Sequence, residues 1–153
     1  MKKMLYALFL SVCLFVTAER AYAALGGSLD PVESDRKVLA GVRGATTVSS
    51  AYSVREIVSD ATTVREYASP EGIVFGLAWN GLVYPDLRQL LGSYAEEYQT
   101  ALSQVPRQPG GRRHVLVRTS RVVVEKWGHM RNLQGRAYAL DLIPQGVSVD
   151  EIK

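Results

Sequence analysis

Residues 73–79, Ile-Val-Phe-Gly-Leu-Ala-Trp, are apolar or small at every position, and this run constrains the fold more than any other feature. Its length suits a strand, and the turn signal Ser69-Pro70-Glu71-Gly72 bounds it on the upstream side. Strict alternation puts Ile73, Phe75, Leu77 and Trp79 on one face and Val74, Gly76 and Ala78 on the other. A strand apolar on both faces needs cover on both, so it is central in a sheet, or its small face is covered by a partner.

Cover for the larger face comes next in the chain. Asn80-Gly81 and Leu82-Val83-Tyr84 lead to Pro85 as either a short return strand or a plain loop. Asp86 then opens a helix expected over 86–102, with Gln89 at the capping-box offset. Leu87, Leu90, Leu91, Tyr94, Tyr98 and Ala101 or Leu102 recur at helical spacing, while Glu96, Glu97 and Gln99 mark the wet side. Gly92 weakens the middle of this helix by about 1 kcal/mol relative to Ala. That choice suits a close crossing of helix and strand, with Gly76 as the counterpart.

Upstream, Ser53-Val54-Arg55-Glu56 is echoed by Thr63-Val64-Arg65-Glu66. A two-residue loop at Asp60-Ala61 sets Arg55 opposite Glu66 and Glu56 opposite Arg65. Such cross-strand pairs contribute roughly 0.2–1 kcal/mol each. The two pairs fall on opposite faces, which argues against a single Arg/Glu catalytic cluster. Downstream, 115–118 and 121–127 read as one interrupted strand or two short ones, and 134–142 as the returning strand of a hairpin. The expected fold is therefore α+β: an antiparallel sheet of about five strands, in the order meander, helix, hairpin, with one main helix packed on one face. A cystatin-like roll is one such arrangement.

The first residues have a different character. Lys2 and Lys3 precede an uncharged apolar run over 4–18, and Ala21-Tyr22-Ala23 has the small-x-small form cut by signal peptidase. Residues 1–23 are thus expected to be a signal peptide cleaved between Ala23 and Ala24, because the run is shorter than the ~20 residues of a membrane span. Cys13, the single cysteine, lies inside this run, with Val12 before it and apolar residues after it, unlike a lipoprotein signal. The exported chain would carry no cysteine and would depend on a packed core. Residues 24–49 are expected to form an N-terminal segment: a flexible Ala24-Leu25-Gly26-Gly27, a short helix from Asp30-Pro31 to about Ala40, and a small, polar connection over 44–50. Residues 50–153 form the single domain. The destination is the periplasm or the medium, with no stable transmembrane anchor after cleavage.

Removing the signal changes the charge. Eighteen basic and fifteen acidic residues become fifteen and fourteen once Lys2, Lys3, Arg20 and Glu19 are gone. The remaining charge is polarised toward a basic C-terminal third. There the 105–113 loop, VPRQPGGRR, places Arg107, Arg112 and Arg113 beside His114. This cluster suits an anionic glycan, a lipid head group or an acidic protein face. It lacks the interleaved aromatics that stack on bases, so nucleic acid is not an expected partner.

Motifs for chemistry are sparse. The two histidines, His114 and His129, stand in no zinc-type spacing, and the acidic residues form no calcium loop. There is no nucleophile elbow, dinucleotide-binding fingerprint or phosphate loop. No catalytic, cofactor or metal residue is assigned. The one remaining constellation is Glu125, His129 and Arg131, with Tyr138 opposite on the hairpin, a set that could do acid–base work or hold an anion.

Several stretches carry a family resemblance: Ala24-Leu25-Gly26-Gly27, Val64-Arg65-Glu66-Tyr67, Ser69-Pro70, Val74-Phe75, Ala78-Trp79, Pro85-Asp86-Leu87 with Leu90-Leu91-Gly92, Gly128-His129-Met130, Gly135-Arg136-Ala137-Tyr138, and Pro144 with Gly146-Val147. In these the chain resembles a family of small exported proteobacterial proteins known only as a domain of unknown function. The resemblance implies export from a Gram-negative cell and a single domain, and it supplies no activity or site residue. The leading expectation is an exported, non-enzymatic binding or accessory module of the bacterial envelope with a protein or anionic-glycan partner. The alternatives are a small hydrolase-like envelope enzyme using the Glu125/His129 region and an anionic glycan or lipid binder using residues 107–114. The sequence leaves enzymatic activity undecided.

Overall fold

The computed structural model describes residues 24–29, 42–106 and 114–153. The expected signal peptide and the short helix near 30–40 lie outside the described residues. Seven strands form one antiparallel sheet: β1 (Val42–Val48), β2 (Ser53–Val58), β3 (Thr62–Ala68), β4 (Val74–Gly81), β5 (His114–Arg118), β6 (Val122–His129) and β7 (Asn132–Ala139), in the spatial order β1-β2-β3-β4-β7-β6-β5. The helical connection α1 (Leu87–Leu91), a 3-10 turn (Gly92–Tyr94) and α2 (Ala95–Gln104) carry the chain from central β4 to the edge strand β5.

The α+β class and the meander–helix–hairpin plan hold, but the sheet has seven strands where about five were expected. Two causes account for the difference. Thr119 and Ser120 make a turn that separates β5 from β6, and the Thr119 hydroxyl caps it by accepting from Val122 N–H at 3.0 Å. β1 is an edge strand, and its residues 46–48 are exposed, so no buried face imposes an apolar alternation on that part of it. Its residues 46–48 pair with β2 from within the stretch over 44–50 expected to be a polar connection.

The β2–β3 register is the expected one, with Arg55 facing Glu66 and Glu56 facing Arg65. Arg55 Nε donates to Glu66 at 2.8 Å and Arg65 Nε to Glu56 at 3.0 Å. Glu66 is fully buried, so its pairing stands in a far less screened setting than the half-exposed Glu56 pair.

The central strand departs from strict alternation. A β-bulge shifts the register between Tyr67↔Gly76 and Ala68↔Val74. It turns Val74 toward the helix with Leu77 and Trp79, and Phe75 toward the opposite face with Ala78. On the helix side, Val74, Leu77 and Trp79 pack in one core with Leu90, Leu91, Tyr94 and Tyr98. Each buried large side chain there contributes roughly 1.5–3 kcal/mol by removal from water.

The opposite face is covered by the chain itself. After β7 the segment 140–153 folds back, and Ile152 packs, fully buried, with Tyr67, Phe75, Ala78, Val123 and Tyr138. A Cβ on Gly76 would lie 2.8 Å from Ile152 Cδ1, so the glycine makes room for the isoleucine. An external partner on this small face is therefore not needed, and Gly76 is not the counterpart of Gly92.

Gly92 serves the N-terminal segment. Asp86 caps α1 as expected, accepting from Arg88 N–H at 2.9 Å and Gln89 N–H at 3.3 Å, but the helix breaks at Gly92, where φ is +52°. A Cβ there would meet Ala24 Cβ at 2.8 Å. Residues 24–29 are pinned rather than flexible. Leu25 N–H donates to the Leu90 carbonyl and Gly26 N–H to the Val74 carbonyl, both at 2.8 Å, and Leu25 is buried in the helix-side core.

Candidate functional site

The register fixes where each candidate residue lies. β4 ends at Gly81 beside Leu133 of β7, the β6–β7 turn joins His129 to Asn132, and β5 starts at His114 opposite Trp127. One end of the sheet therefore gathers His114, the 129–132 turn, the β2–β3 turn and the chain leaving β4. Arg107, Arg112 and Arg113 lie outside the described residues.

Glu125 does not pair with His129. It sits on β6 between His114 of β5 and Arg136 of β7, accepting from Arg136 Nε at 2.8 Å and lying 2.8 Å from His114 Nε2. The hydrogen bond from His114, helped by Arg136, holds the Glu125 carboxyl below the usual carboxylate range despite partial desolvation. Arg136 spends a further donor on the Val149 carbonyl at 3.1 Å, tying the cluster to the C-terminal segment. His129 and Arg131 are exposed at the turn, with His129 Nδ1 3.3 Å from the Met130 carbonyl and Arg131 at a φ of +68°. Tyr138 is buried on the face under the C-terminal segment, opposite Val123 and Gly76. His114 and Glu125 thus meet directly, and a third residue, Arg136, that spacing along the sequence did not reveal, holds the other carboxylate oxygen. Because Arg136 faces Glu125 only through the β6–β7 pairing, a correct hairpin register would have been the signal.

The other feature of this end is apolar. Leu82, Val83 and Tyr84 are 55%, 52% and 39% exposed, and Met130, on the adjoining turn, is 90% exposed. Residues 82–84 are a plain loop and not a return strand, and their backbone is anchored to the β2–β3 turn. Leu82 N–H donates to the Ala61 carbonyl and the Thr62 hydroxyl donates to the Val83 carbonyl, both at 2.7 Å. The ammonium of Lys126 stands 5.5 Å from the Tyr84 ring and 5.8 Å from the Tyr98 ring, fixing the tyrosine against the helix-side core. A ledge of large apolar side chains thereby faces water from an anchored backbone. Among the described residues, no group of three His, Cys, Asp or Glu is placed to hold a metal, and no helix is long and apolar enough to cross a membrane.

Fold and site together define a small α+β protein with an exposed apolar ledge at one end of its sheet. The chain belongs to the family described as "Protein of unknown function (DUF2844)", whose model matches residues 21–152. No curated protein and no solved structure matches it.

Proposed function

We propose that this protein is an exported, non-enzymatic binding module of the bacterial envelope, and that the ledge formed by Leu82, Val83, Tyr84 and Met130 receives a partner protein. The observation that carries this reading is the combination of exposure with fixation: three consecutive large apolar side chains face water on a backbone held by two strong hydrogen bonds. Exposed apolar surface that has been made rigid loses little entropy when covered, which favours a docking surface over a disordered loop. His129 and Arg131 on the adjoining turn supply a polar, cationic rim. Support for export comes from the basic start, the apolar run over 4–18 and Ala21-Tyr22-Ala23. The hydrolase reading gains little from the geometry, since Glu125 is engaged by His114 and Arg136 and His129 points to its own turn.

A photo-crosslinking residue at position 84 tests the docking surface. In the envelope it should give a defined adduct that the Leu82→Asp, Val83→Asp double variant loses, whereas a probe at the exposed helix position Ser103 should give none. Equal adducts at 84 and 103, or none at either, would reject the ledge. An intact mass of the exported protein that begins at Ala24 supports the signal assignment, and retention of residues 1–23 contradicts it.

A further inference from the structure

The segment that covers the second face is not part of the sheet's ladder. The seven strands pair with one another without it. Among the described residues, main-chain hydrogen bonds beyond Leu142 stay inside the segment: Val147 N–H to Pro144, Glu151 N–H to Ser148 and Ile152 N–H to Val149. Side chains of the sheet hold it instead. The Tyr67 hydroxyl donates to the Lys153 carbonyl at 2.8 Å and accepts from the Lys153 N–H at 3.1 Å. Arg65 Nη1 donates to the same carbonyl at 3.0 Å, and Arg136 Nη1 to the Val149 carbonyl at 3.1 Å. Arg65 and Arg136 flank Ala78 on neighbouring strands, so they approach the segment from either side of a small residue.

Side-chain selection is superimposed on this main-chain reading. The Tyr52 hydroxyl donates to the Glu151 carboxylate at 2.7 Å, and the Asp150 carboxylate lies 3.8 Å from Arg136. Ile152 fills the pocket over Gly76, walled by Tyr67, Phe75 and Val123. Donors aimed at peptide carbonyls, a hydroxyl on one acidic side chain, an arginine near the other and one deep aliphatic pocket are the parts of a peptide-binding groove.

We propose that the face built from Tyr52, Arg65, Tyr67, Gly76 and Arg136 is a peptide-recognition site, occupied here by the chain's own residues 147–153, and that it accepts in trans a segment of a partner protein that makes the same single 3-10 turn (Val149–Glu151 here) and in which an acidic pair precedes an aliphatic residue. The seated sequence Asp150-Glu151-Ile152 defines that chemistry. A tethered occupant has an effective concentration of order millimolar, so the trans segment binds measurably only where the resident one is displaced. This site lies on the sheet's face, apart from the ledge, and stands or falls separately from it.

The test uses the full chain with Ile152→Asp, which unseats the resident segment by burying a carboxylate. A fluorescein-labelled peptide with the sequence of residues 147–153 should then bind, by anisotropy, at least tenfold more tightly than it binds the unaltered protein. The same peptide with both acidic residues changed to lysine should bind at least tenfold more weakly. A folded Ile152→Asp protein that ignores the peptide at millimolar concentration, or that binds both peptides alike, overturns the proposal. Should that variant fail to fold, a protease site inserted after the exposed Gln145 allows the segment to be cut while seated. The cut protein is expected to stay folded and to exchange its resident segment for labelled peptide. Unfolding on cutting, or no exchange, overturns the proposal as well. A concentration-dependent dimer of the unaltered protein would make a second copy the occupant and refute a separate partner.

Discussion

Shape complementarity between Gly76 and Ile152 can be measured as an energy. Ile152 is fully buried, and its Cδ1, Cγ1 and Cγ2 would lie 2.8, 3.4 and 3.5 Å from a Cβ at position 76. Gly76→Ala therefore forces the isoleucine tip to move, an overpacking change expected to cost about 1–2 kcal/mol. Ile152→Ala removes a fully buried side chain and leaves a cavity, with an expected cost of about 2–4 kcal/mol. In the double variant the alanine Cβ enters space that Ile152 has vacated, so the cost should fall short of the sum by about 1 kcal/mol or more. Urea unfolding followed by the fluorescence of Trp79 and Trp127 reads all four proteins, and an unchanged dependence on urea would show that the same surface is exposed. Additivity within about 0.3 kcal/mol would refute the direct contact on which the account of the second face depends.

Further tests probe other contacts. Arg55→Ala withdraws a guanidinium from the fully buried Glu66 and should destabilise by about 3 kcal/mol, against less than about 1 kcal/mol for Arg65→Ala in unfolding measurements at neutral pH. Gly92→Ala meets both a φ of +52° and Ala24 Cβ, so it should cost about 1–2 kcal/mol and speed amide exchange at Leu25 and Gly26. The Tyr52–Glu151 bond gives the C-terminal segment two pH limits. Its hydrogen bond from Tyr52 lowers the Glu151 pKa from the ordinary 4.5, so that contribution is present above 4.5 and is lost as acid passes below it through the lowered value. The same bond raises Tyr52 from the ordinary 10.0, so its contribution is complete below 10.0 and is lost as pH rises through the raised value. The protection factor of the Ile152 amide, the observed rate divided into the intrinsic base-catalysed one, should be greatest between these limits, and Tyr52→Phe should abolish the alkaline limit and weaken the acid one, where Glu151 keeps its Ser148 bond.

Local patterns made much of the fold legible. The echo of Arg55-Glu56 in Arg65-Glu66 defined a register because charge alternates on both strands, and Asp86 marked the helix start through its cap. Edge strand β1 was not legible because its exposed residues 46–48 carry no hydrophobic period. The facing of Val74 and Phe75 was missed for another reason, since a bulge inverts parity without a change in composition. Gly76 and Gly92 were recognised as sites of close approach, yet their neighbours, Ile152 and Ala24, come from the two distant ends of the described chain. The site suffered from the same gap: His114 and Glu125 were both singled out, but only the pairing of three strands brings them together with Arg136.

Coverage of the second face by the chain's own Ile152 decides whether the doubly apolar strand is closed or open to a partner. A nuclear Overhauser spectrum of the protein with a labelled isoleucine δ-methyl tests it directly. Strong cross-peaks are expected from the Ile152 δ-methyl to the Gly76 Hα protons and to the ring protons of Phe75 and Tyr67, with the methyl shifted upfield by those rings. A δ-methyl at its random-coil shift with no cross-peak to Gly76 would contradict it.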